Sequence, residues 1–351
     1  MAMVKAAVPG EPGRLKWQTL DRAVQLMNHI VLLIAQSDTI EDGNYLRFGN
    51  TLLARGFTVD LCFMESLSMY DSQITARGFN LSVPASDGDP FPDFHIIQLQ
   101  EADLVWVLTL GMRQSFLDKI QLLYCLQQYC RVINSIDSLM HFKSKYFLAS
   151  QGATFTYPPT FASNNPDELY DVIKSKSNAI KKSGNGRWIA KPPAGSLGRD
   201  IFLLTADDPN TRVILESMTG PEADQYCLLQ PYVEEIQQGE KRVLIAGGEP
   251  VGQYLRHARK DHRTNVMHGA DIEPCELNTE EYEYCQTIGQ FLTAHGAAFV
   301  GVDLAYPFVI EFNVVNPGGL LTIEALTGQN LAPDIIDNIF PDSLPDSLQS
   351  P

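Results

Sequence analysis

Between His29 and Ile133 the chain repeats one local pattern, and that pattern restricts the fold more than any single residue does. The run His29-Ile-Val-Leu-Leu-Ile-Ala35 is almost continuously apolar and gives way to a polar loop ending at Gly43. A run of this length without alternation suits a strand buried on both faces, because a half-exposed strand would alternate polar and apolar positions. Leu46, Leu52 and Leu53 then recur with helical spacing until Gly56, and Thr58-Val-Asp-Leu-Cys-Phe63 reads as a second strand. The same order returns as Leu104-Val-Trp-Val-Leu-Thr-Leu110, a helix around Phe116 to Tyr129, and Val132-Ile133. Strand, helix, strand is the crossover that parallel strands require, so residues 28–133 are expected to form a parallel sheet with helices on its faces.

After Asn134 the pattern changes to short strands divided by turn signals: Trp188 to Lys191, Ile201 to Leu204, Tyr226 to Gln230 and Arg242 to Ala246. The last runs through Gly247-Gly248 into Pro250-Val-Gly-Gln-Tyr-Leu255, a hairpin signature. A helix from about Glu280 to Ala294 and strands Phe299 to Leu304 and Val309 to Asn313 follow, before the glycine-rich Asn316-Pro-Gly-Gly319. The expected class is therefore α/β followed by α+β, with residues 134–340 as the second region. Residues 1–27 and 341–351 read as tails, rich in breakers and without periodicity.

A length of 351 residues suits two or three packed domains, and 44% hydrophobic with 19% charged residues is the balance of an ordinary folded chain. The 26 Lys and Arg against 42 Asp and Glu give a net charge of -16, which repels nucleic-acid phosphate and anionic lipid. No nucleic-acid partner is expected. Anionic substrates would need the basic residues gathered locally in a cleft. No apolar run is long enough to span a bilayer and the first residues lack a signal-peptide core, so no membrane partner and a cytoplasmic location are expected. Cys62, Cys125, Cys130, Cys227, Cys275 and Cys285 include no C-x-x-C pair and read mainly as buried, reduced thiols.

Three constellations carry chemistry. In Lys191-Pro-Pro-Ala-Gly-Ser-Leu-Gly-Arg199 a strand-borne lysine precedes a loop of small residues, an arrangement that suits either a phosphate chain or a solvated turn. Asp303, Glu311 and Asn313 lie on successive strands, with Tyr306-Pro307 as the turn between them. Positions two apart on a strand face one way, so Glu311 and Asn313 project together, and with Asp303 they offer an oxygen-only site of the kind Mg²⁺ takes; the alternative is a polar strand face. The basic stretch Arg256-His-Ala-Arg259-Lys-Asp-His-Arg263-Thr-Asn265-Val-Met-His268-Gly could clamp a carboxylate or a transferring phosphoryl group, could be a solvated loop, or could hold zinc through His257, His262 and His268.

These pieces occur in the order and near the spacings of the ATP-grasp superfamily, and from about Ile30 to Phe340 the wording most resembles bacterial-type glutathione synthetase. Gln230-Pro-Tyr, Gly239-Glu-Lys-Arg-Val-Leu-Ile-Ala-Gly-Gly-Glu-Pro-Val251, Phe299-Val-Gly-Val-Asp-Leu304 and Ile310-Glu-Phe-Asn-Val314 carry the likeness. The resemblance implies an ATP-grasp fold behind an N-terminal parallel-sheet domain, with a small nucleotide lid over about 150–228 and a catalytic part over about 229–340. It implies ATP and Mg²⁺ as cofactors, with Lys145 and Lys191 on the phosphates, Gly195, Ser196 and Gly198 in a loop over them, and Gln230, Pro231, Tyr232 and Val233 near the adenine. Lys241 and Arg242 would position the nucleotide edge. Asp303, Glu311 and Asn313 would bind the metal, and Arg263 and Asn265, with Lys191, would serve the acyl-phosphate step. Arg256, Arg259, Asn316, Pro317, Gly318 and Gly319 would meet the substrates.

The reaction so implied joins a small-molecule acid to an amine through an acyl phosphate, with γ-glutamylcysteine and glycine the leading pair. A related peptide or amino-acid ligase, or a non-catalytic nucleotide-binding homologue, is the alternative. Relatives of this kind are often homo-oligomers, although no stretch here forces an interface. The chain departs from the family's Asp-Gly-x-Gly-Gly at Ala194-Gly-Ser-Leu-Gly198, from its Arg-Gly-Asn at Arg263-Thr-Asn265, and from its Ser-Pro-Thr at Asn316-Pro-Gly-Gly319.

Overall fold

The structure is a computed structural model and describes residues 27–152, 154–180, 186–193, 200–258 and 270–341. Its first part contains β1 (His29–Ile34), α1 (Asn44–Ala54), β2 (Thr58–Phe63), β3 (Ser68–Tyr70), β4 (Gln73–Asn80), β5 (His95–Gln98), β6 (Leu104–Val107), α2 (Phe116–Leu126) and β7 (Arg131–Ile133). Strands β2, β1, β6 and β7 are parallel neighbours, as the repeated crossover requires. Both faces of β1 are covered: Val31 and Leu33 enter one apolar cluster, Ile30, Leu32 and Ile34 another. Phe48 of α1 stacks on Trp106 of β6 at 4.5 Å in the second of these.

The sheet is not parallel throughout, which corrects the reading from sequence. β3, β4 and β5 add an antiparallel edge to β2. The β3–β4 connection reverses direction through Asp71 and Ser72, both with positive φ. Asp and Ser supply such a turn without glycine, so the hairpin carried no strong breaker signal.

Next come α3 (Ile136–Phe142), α4 (Lys145–Ser150), β8 (Phe161–Ser163), α5 (Pro166–Ile180), β9 (Arg187–Lys191), β10 (Phe202–Thr205), α6 (Thr211–Thr219) and β11 (Cys227–Pro231). The antiparallel sheet β10-β9-β11-β8 carries α5 and α6 on one face, where Trp188, Ala190, Leu204, Leu215, Cys227 and Leu229 make a core of their own. The last group is β12 (Glu240–Ala246), β13 (Glu249–His257), β14 (Asp271–Glu273), α7 (Thr279–Ala294), β15 (Phe299–Ala305), β16 (Phe308–Asn313), α8 (Leu320–Thr327) and α9 (Ala332–Ile339). Its strands run antiparallel in the order β14-β13-β12-β15-β16. Asn278 starts α7 with a capping box, its side chain accepting from the Glu281 N–H while the Glu281 carboxylate accepts from the Asn278 N–H.

This third sheet shares both large apolar clusters with the first one, whereas the second sheet keeps its separate core. Asn134 fastens the first sheet to the third. Its amide donates to the carbonyls of Phe299 (2.7 Å) and Val314 (2.8 Å) and accepts from the N–H groups of Ala298 (2.7 Å) and Phe299 (3.0 Å). No disulfide joins any of the six cysteines, all of which lie among the described residues, and Cys62, Cys130, Cys227 and Cys285 are buried. Among the described residues no helix is long and apolar enough to cross a membrane.

Candidate functional site

The second sheet has two faces of opposite character. Trp188, Ala190, Cys227 and Leu229 point into its core, so the alternate positions Ile189, Lys191, Leu228 and Gln230 point the other way. Register agrees, since Leu228 pairs with Lys191 and Gln230 with Ile189. Lys191 is thereby buried near the lysine at the start of α4, Lys145, and the carboxylates Glu311 and Glu240. Burial, reinforced by the charge of Lys145 and opposed by the two carboxylates, depresses the Lys191 amine to about 8. Lys145 itself meets Glu311 directly, Nζ to Oε1 at 2.6 Å. Two cations and a metal-type carboxylate thus share one space.

On the third sheet, alternation along β12 sends Glu240 and Arg242 to one side and Lys241 to the other. The Arg242 guanidinium grips Asp303 through Nε (2.5 Å) and a terminal nitrogen (3.0 Å), while its other terminal nitrogen donates to the Gly318 carbonyl (2.8 Å). Arg256 bridges Glu240 (2.8 Å) and Asp303 (2.6 Å). Burial alone would raise the Asp303 carboxyl, but the charges of Arg242 and Arg256, with hydrogen bonds from Arg242 and Asn313, hold it below the usual carboxylate range. Burial likewise opposes the Arg242 charge, and Asp303 more than restores it. The acidic chain therefore does gather cations locally, each beside an acid that makes its burial affordable.

Asp303 stands opposite Glu311 in the β15–β16 ladder, and the Asn313 amide donates to Asp303 at 3.2 Å. The turn at Tyr306-Pro307 brings the three together as expected. Carboxylate and amide oxygens without sulfur or imidazole form the donor chemistry that fits Mg²⁺. The glycine-rich segment closes the same end. Asn44, on α1, donates to the Asn316 side chain (2.7 Å) and the Pro317 carbonyl (3.0 Å). Gly319, with φ of 139°, lets the chain enter α8 beside Tyr254. Gly301 is needed for the close approach, since a Cβ there would lie 2.8 Å from the Pro317 side chain.

Gln230 is buried and donates to Thr160 Oγ1 at 2.7 Å. After it, the Tyr232 N–H donates to the Arg187 carbonyl (2.9 Å) and the Arg187 guanidinium lies over the Tyr232 ring at 4.3 Å. Pro231 and Val233 flank Tyr232 where the chain leaves the second sheet for the third.

Not every expected residue joins this cluster. Lys241 faces α7, bound to Glu281 at 2.6 Å and to the Glu276 carbonyl at 3.0 Å, so its side chain braces that helix away from Asp303. His257 pairs with Glu273 at 2.9 Å. Gly195, Ser196, Gly198, Arg259, Arg263 and Asn265, with His262 and His268, lie outside the described residues. Glu240, Asn44 and Thr160 were missed by sequence reasoning. Only Glu240 carried a local signal, through its period-two spacing from Arg242.

Residues 148–328, just over half of the chain, match the family model for the prokaryotic glutathione synthetase ATP-grasp domain. The chain belongs to that family. Glutathione synthetase of Gloeobacter violaceus is 36% identical over 154 residues, which cover 44% of this chain and about half, 47%, of that relative. Glutathione synthetase of Agrobacterium fabrum is 29% identical over 294 residues, covering 82% of this chain and 87% of that one. Among solved structures, D-cycloserine synthetase DcsG aligns over 89% of this chain and 98% of its own with a TM-score of 0.64 at 15% identity, a likeness of fold. As a member of the glutathione synthetase ATP-grasp family, the protein is an ATP-dependent carbon–nitrogen ligase.

Proposed function

We propose that this ligase is a glutathione synthetase, joining γ-glutamylcysteine to glycine with conversion of ATP to ADP and phosphate. One observation carries the reading: the cationic face of the second sheet, Lys191 with Lys145 beside it, stands against the Asp303, Glu311 and Asn313 oxygens of the third. A nucleotide polyphosphate is the anion that needs both. In this reading the second sheet is the nucleotide lid subdomain, with Gln230 to Val233 along the base and Lys145 and Lys191 on the phosphates. Asp303, Glu311 and Asn313 would hold Mg²⁺, which neutralises phosphate charge and keeps the γ-phosphoryl group electrophilic.

The substrate carboxylate attacks the γ-phosphorus, ADP leaves, and the resulting acyl phosphate is attacked by the amine with release of phosphate. Lys145 and Lys191 stabilise charge spreading over the transferring group. Arg242 and Arg256, fixed in place by Asp303 and Glu240, supply a rigid cationic wall for the carboxylate or its phosphate. Arg263 and Asn265 take the acyl-phosphate step by their likeness to the family's Arg-Gly-Asn.

The test is ADP release with ATP, Mg²⁺, γ-glutamylcysteine and glycine, each omitted in turn, with mass spectrometry of the product. ADP that forms only with both substrates, together with the tripeptide, is the expected result; ADP without tripeptide, or none, sinks the assignment. The second reading is a peptide or amino-acid ligase with another acid or amine. It is favoured by Asn316-Pro-Gly-Gly319 in place of Ser-Pro-Thr, where Asn44 now fixes the segment. The same assay over other acids and amines separates the two.

A further inference from the structure

Strands β1 and β6 are parallel neighbours, but the chain leaves them for helices on opposite faces of the sheet: Phe48 and Leu52 of α1 enter one apolar cluster, Ile120 and Leu123 of α2 the other. Between two such exits the carboxyl ends of the strands open a crevice, the place where parallel α/β sheets take ligands. Each side of this crevice reaches the third sheet near its metal-type oxygens. On the β1 side, Asn44 holds Asn316 at 2.7 Å. On the β6 side, Arg113 in the loop after the strand and Lys143 at the end of α3 are close enough for their charges to act on each other, and Lys143 also feels Lys145 and Glu311.

The loop that carries Arg113 is pinned. Glu65, which follows β2, accepts from the Met112 N–H at 2.9 Å and from Lys119 Nζ at 2.8 Å, and Gly111, with φ of 62°, leaves room where a Cβ would strike the same carboxylate. Arg113 and Lys143 are both exposed, and neither side chain makes a hydrogen bond or ion pair among the described residues; Lys143 has only the Phe116 ring, 6.0 Å away. Lys145, Arg242 and Arg256, by contrast, each sit on a carboxylate. The surrounding protein, then the charges of Lys145 and Arg113, hold the Lys143 amine below its ordinary value although the side chain is open to solvent, as on the wall of a cleft. Two adjacent cations without an acid, in a chain of net charge -16, suit an anion that comes from outside the protein.

We propose that Arg113 and Lys143 bind a carboxylate of the acid substrate other than the one that ATP activates, so that the site selects an acid with at least two carboxylates. The inference rests on the ligase reading above and names the residues that choose its acid. Lys145 and Glu311 join this pair to the phosphate site, so the reacting carboxylate is turned towards the metal-type oxygens while the remote one stays on the pair. The guanidinium offers a fixed fork and the ammonium a second charge. γ-Glutamylcysteine meets the demand: its cysteinyl carboxylate reacts, and its glutamyl α-carboxylate is left for Arg113 and Lys143.

The experiment compares wild type, Arg113→Gln, Lys143→Gln and Lys143→Arg in steady-state turnover with ATP, Mg²⁺, glycine and either γ-glutamylcysteine or its analogue with a carboxamide in place of the glutamyl α-carboxylate. Loss of one charged hydrogen bond should raise the KM for γ-glutamylcysteine about ten- to a hundredfold in each Gln variant, with the KM values for ATP and glycine unchanged and kcat affected far less. Lys143→Arg, which keeps the charge, should stay within a few fold of wild type. The amide analogue should be a poor substrate for wild type and lose little more in the Gln variants, because the partner group is already gone. A KM for γ-glutamylcysteine that does not move overturns the proposal, as does an equal rise with the analogue, which would make the effect one of general field. A rise in the KM for ATP instead would place the pair on the nucleotide phosphates and overturn it too. Wild type that releases no ADP with γ-glutamylcysteine sinks the glutathione reading itself, and the subsite with it.

Discussion

Nucleotide binding should take up a proton through Lys191. In the nucleotide-free protein this amine titrates at about 8 instead of its ordinary 10.5, because it is buried and Lys145 is close. At pH 7 roughly nine in ten molecules carry the charge, and at pH 9 about one in ten. Polyphosphate oxygens beside the amine favour its charged form and return the bound state towards the ordinary value. Binding at pH 9 then requires protonation, with uptake of about 0.9 proton, and affinity for ATP falls about tenfold between pH 7 and pH 9. Calorimetry in buffers of different ionisation enthalpy reads the proton number directly. Lys191→Arg keeps its charge throughout this range and should bind ATP with a flatter pH dependence. Wild-type affinity that is flat from pH 7 to 9 without proton uptake, or an equal fall in Lys191→Arg, would refute the argument.

The same amine affects stability in the opposite direction. Between about 8 and 10.5 the unfolded chain holds the proton that the folded one has lost, so the Lys191 contribution stabilises the nucleotide-free protein as pH rises, by at most about 3 kcal/mol. Urea denaturation of wild type and Lys191→Met across that window checks the sign. Glu311→Gln should leave the fold intact and reduce turnover at least about a hundredfold through loss of the metal-type carboxylate; unchanged kcat removes Glu311 from the site. Glu240→Gln leaves Arg256 only Asp303, which it shares with Arg242, and loss of one buried charge-assisted pairing should cost about 1.5–3 kcal/mol, readable as a fall in melting temperature. Asn134→Ala removes the donors and acceptors that serve Ala298, Phe299 and Val314, so destabilisation of about 3 kcal/mol or more is expected in chemical denaturation. Arg263→Ala should lower kcat more than ATP affinity; the reverse pattern would make it a nucleotide contact only.

The sequence by itself determined the parts of this protein that are local. The parallel strands β1, β2 and β6 follow from apolar runs whose two faces are both buried, and β16 follows from the alternation of Ile310 and Phe312, which also fixed that Glu311 and Asn313 share a side. The capping box of α7 is legible as Asn278 and Glu281 three residues apart. The resemblance to the ATP-grasp family was what grouped Lys145, Lys191, Asp303 and Glu311, and folding sets Lys145 against Glu311 at 2.6 Å.

Only the tertiary structure decided what depended on partners distant in the chain. Period two separates Lys241 from Arg242, but only α7 supplies the Glu281 that holds the lysine. The antiparallel edge β3 to β5 came from a turn built on Asp71 and Ser72, whose positive φ no local pattern announces. Asn44 reaches Asn316 across 272 positions, and Asn134 reaches Phe299 across 165. Such contacts leave no periodic trace, because the polar atom is satisfied by folding and not by its sequence neighbours.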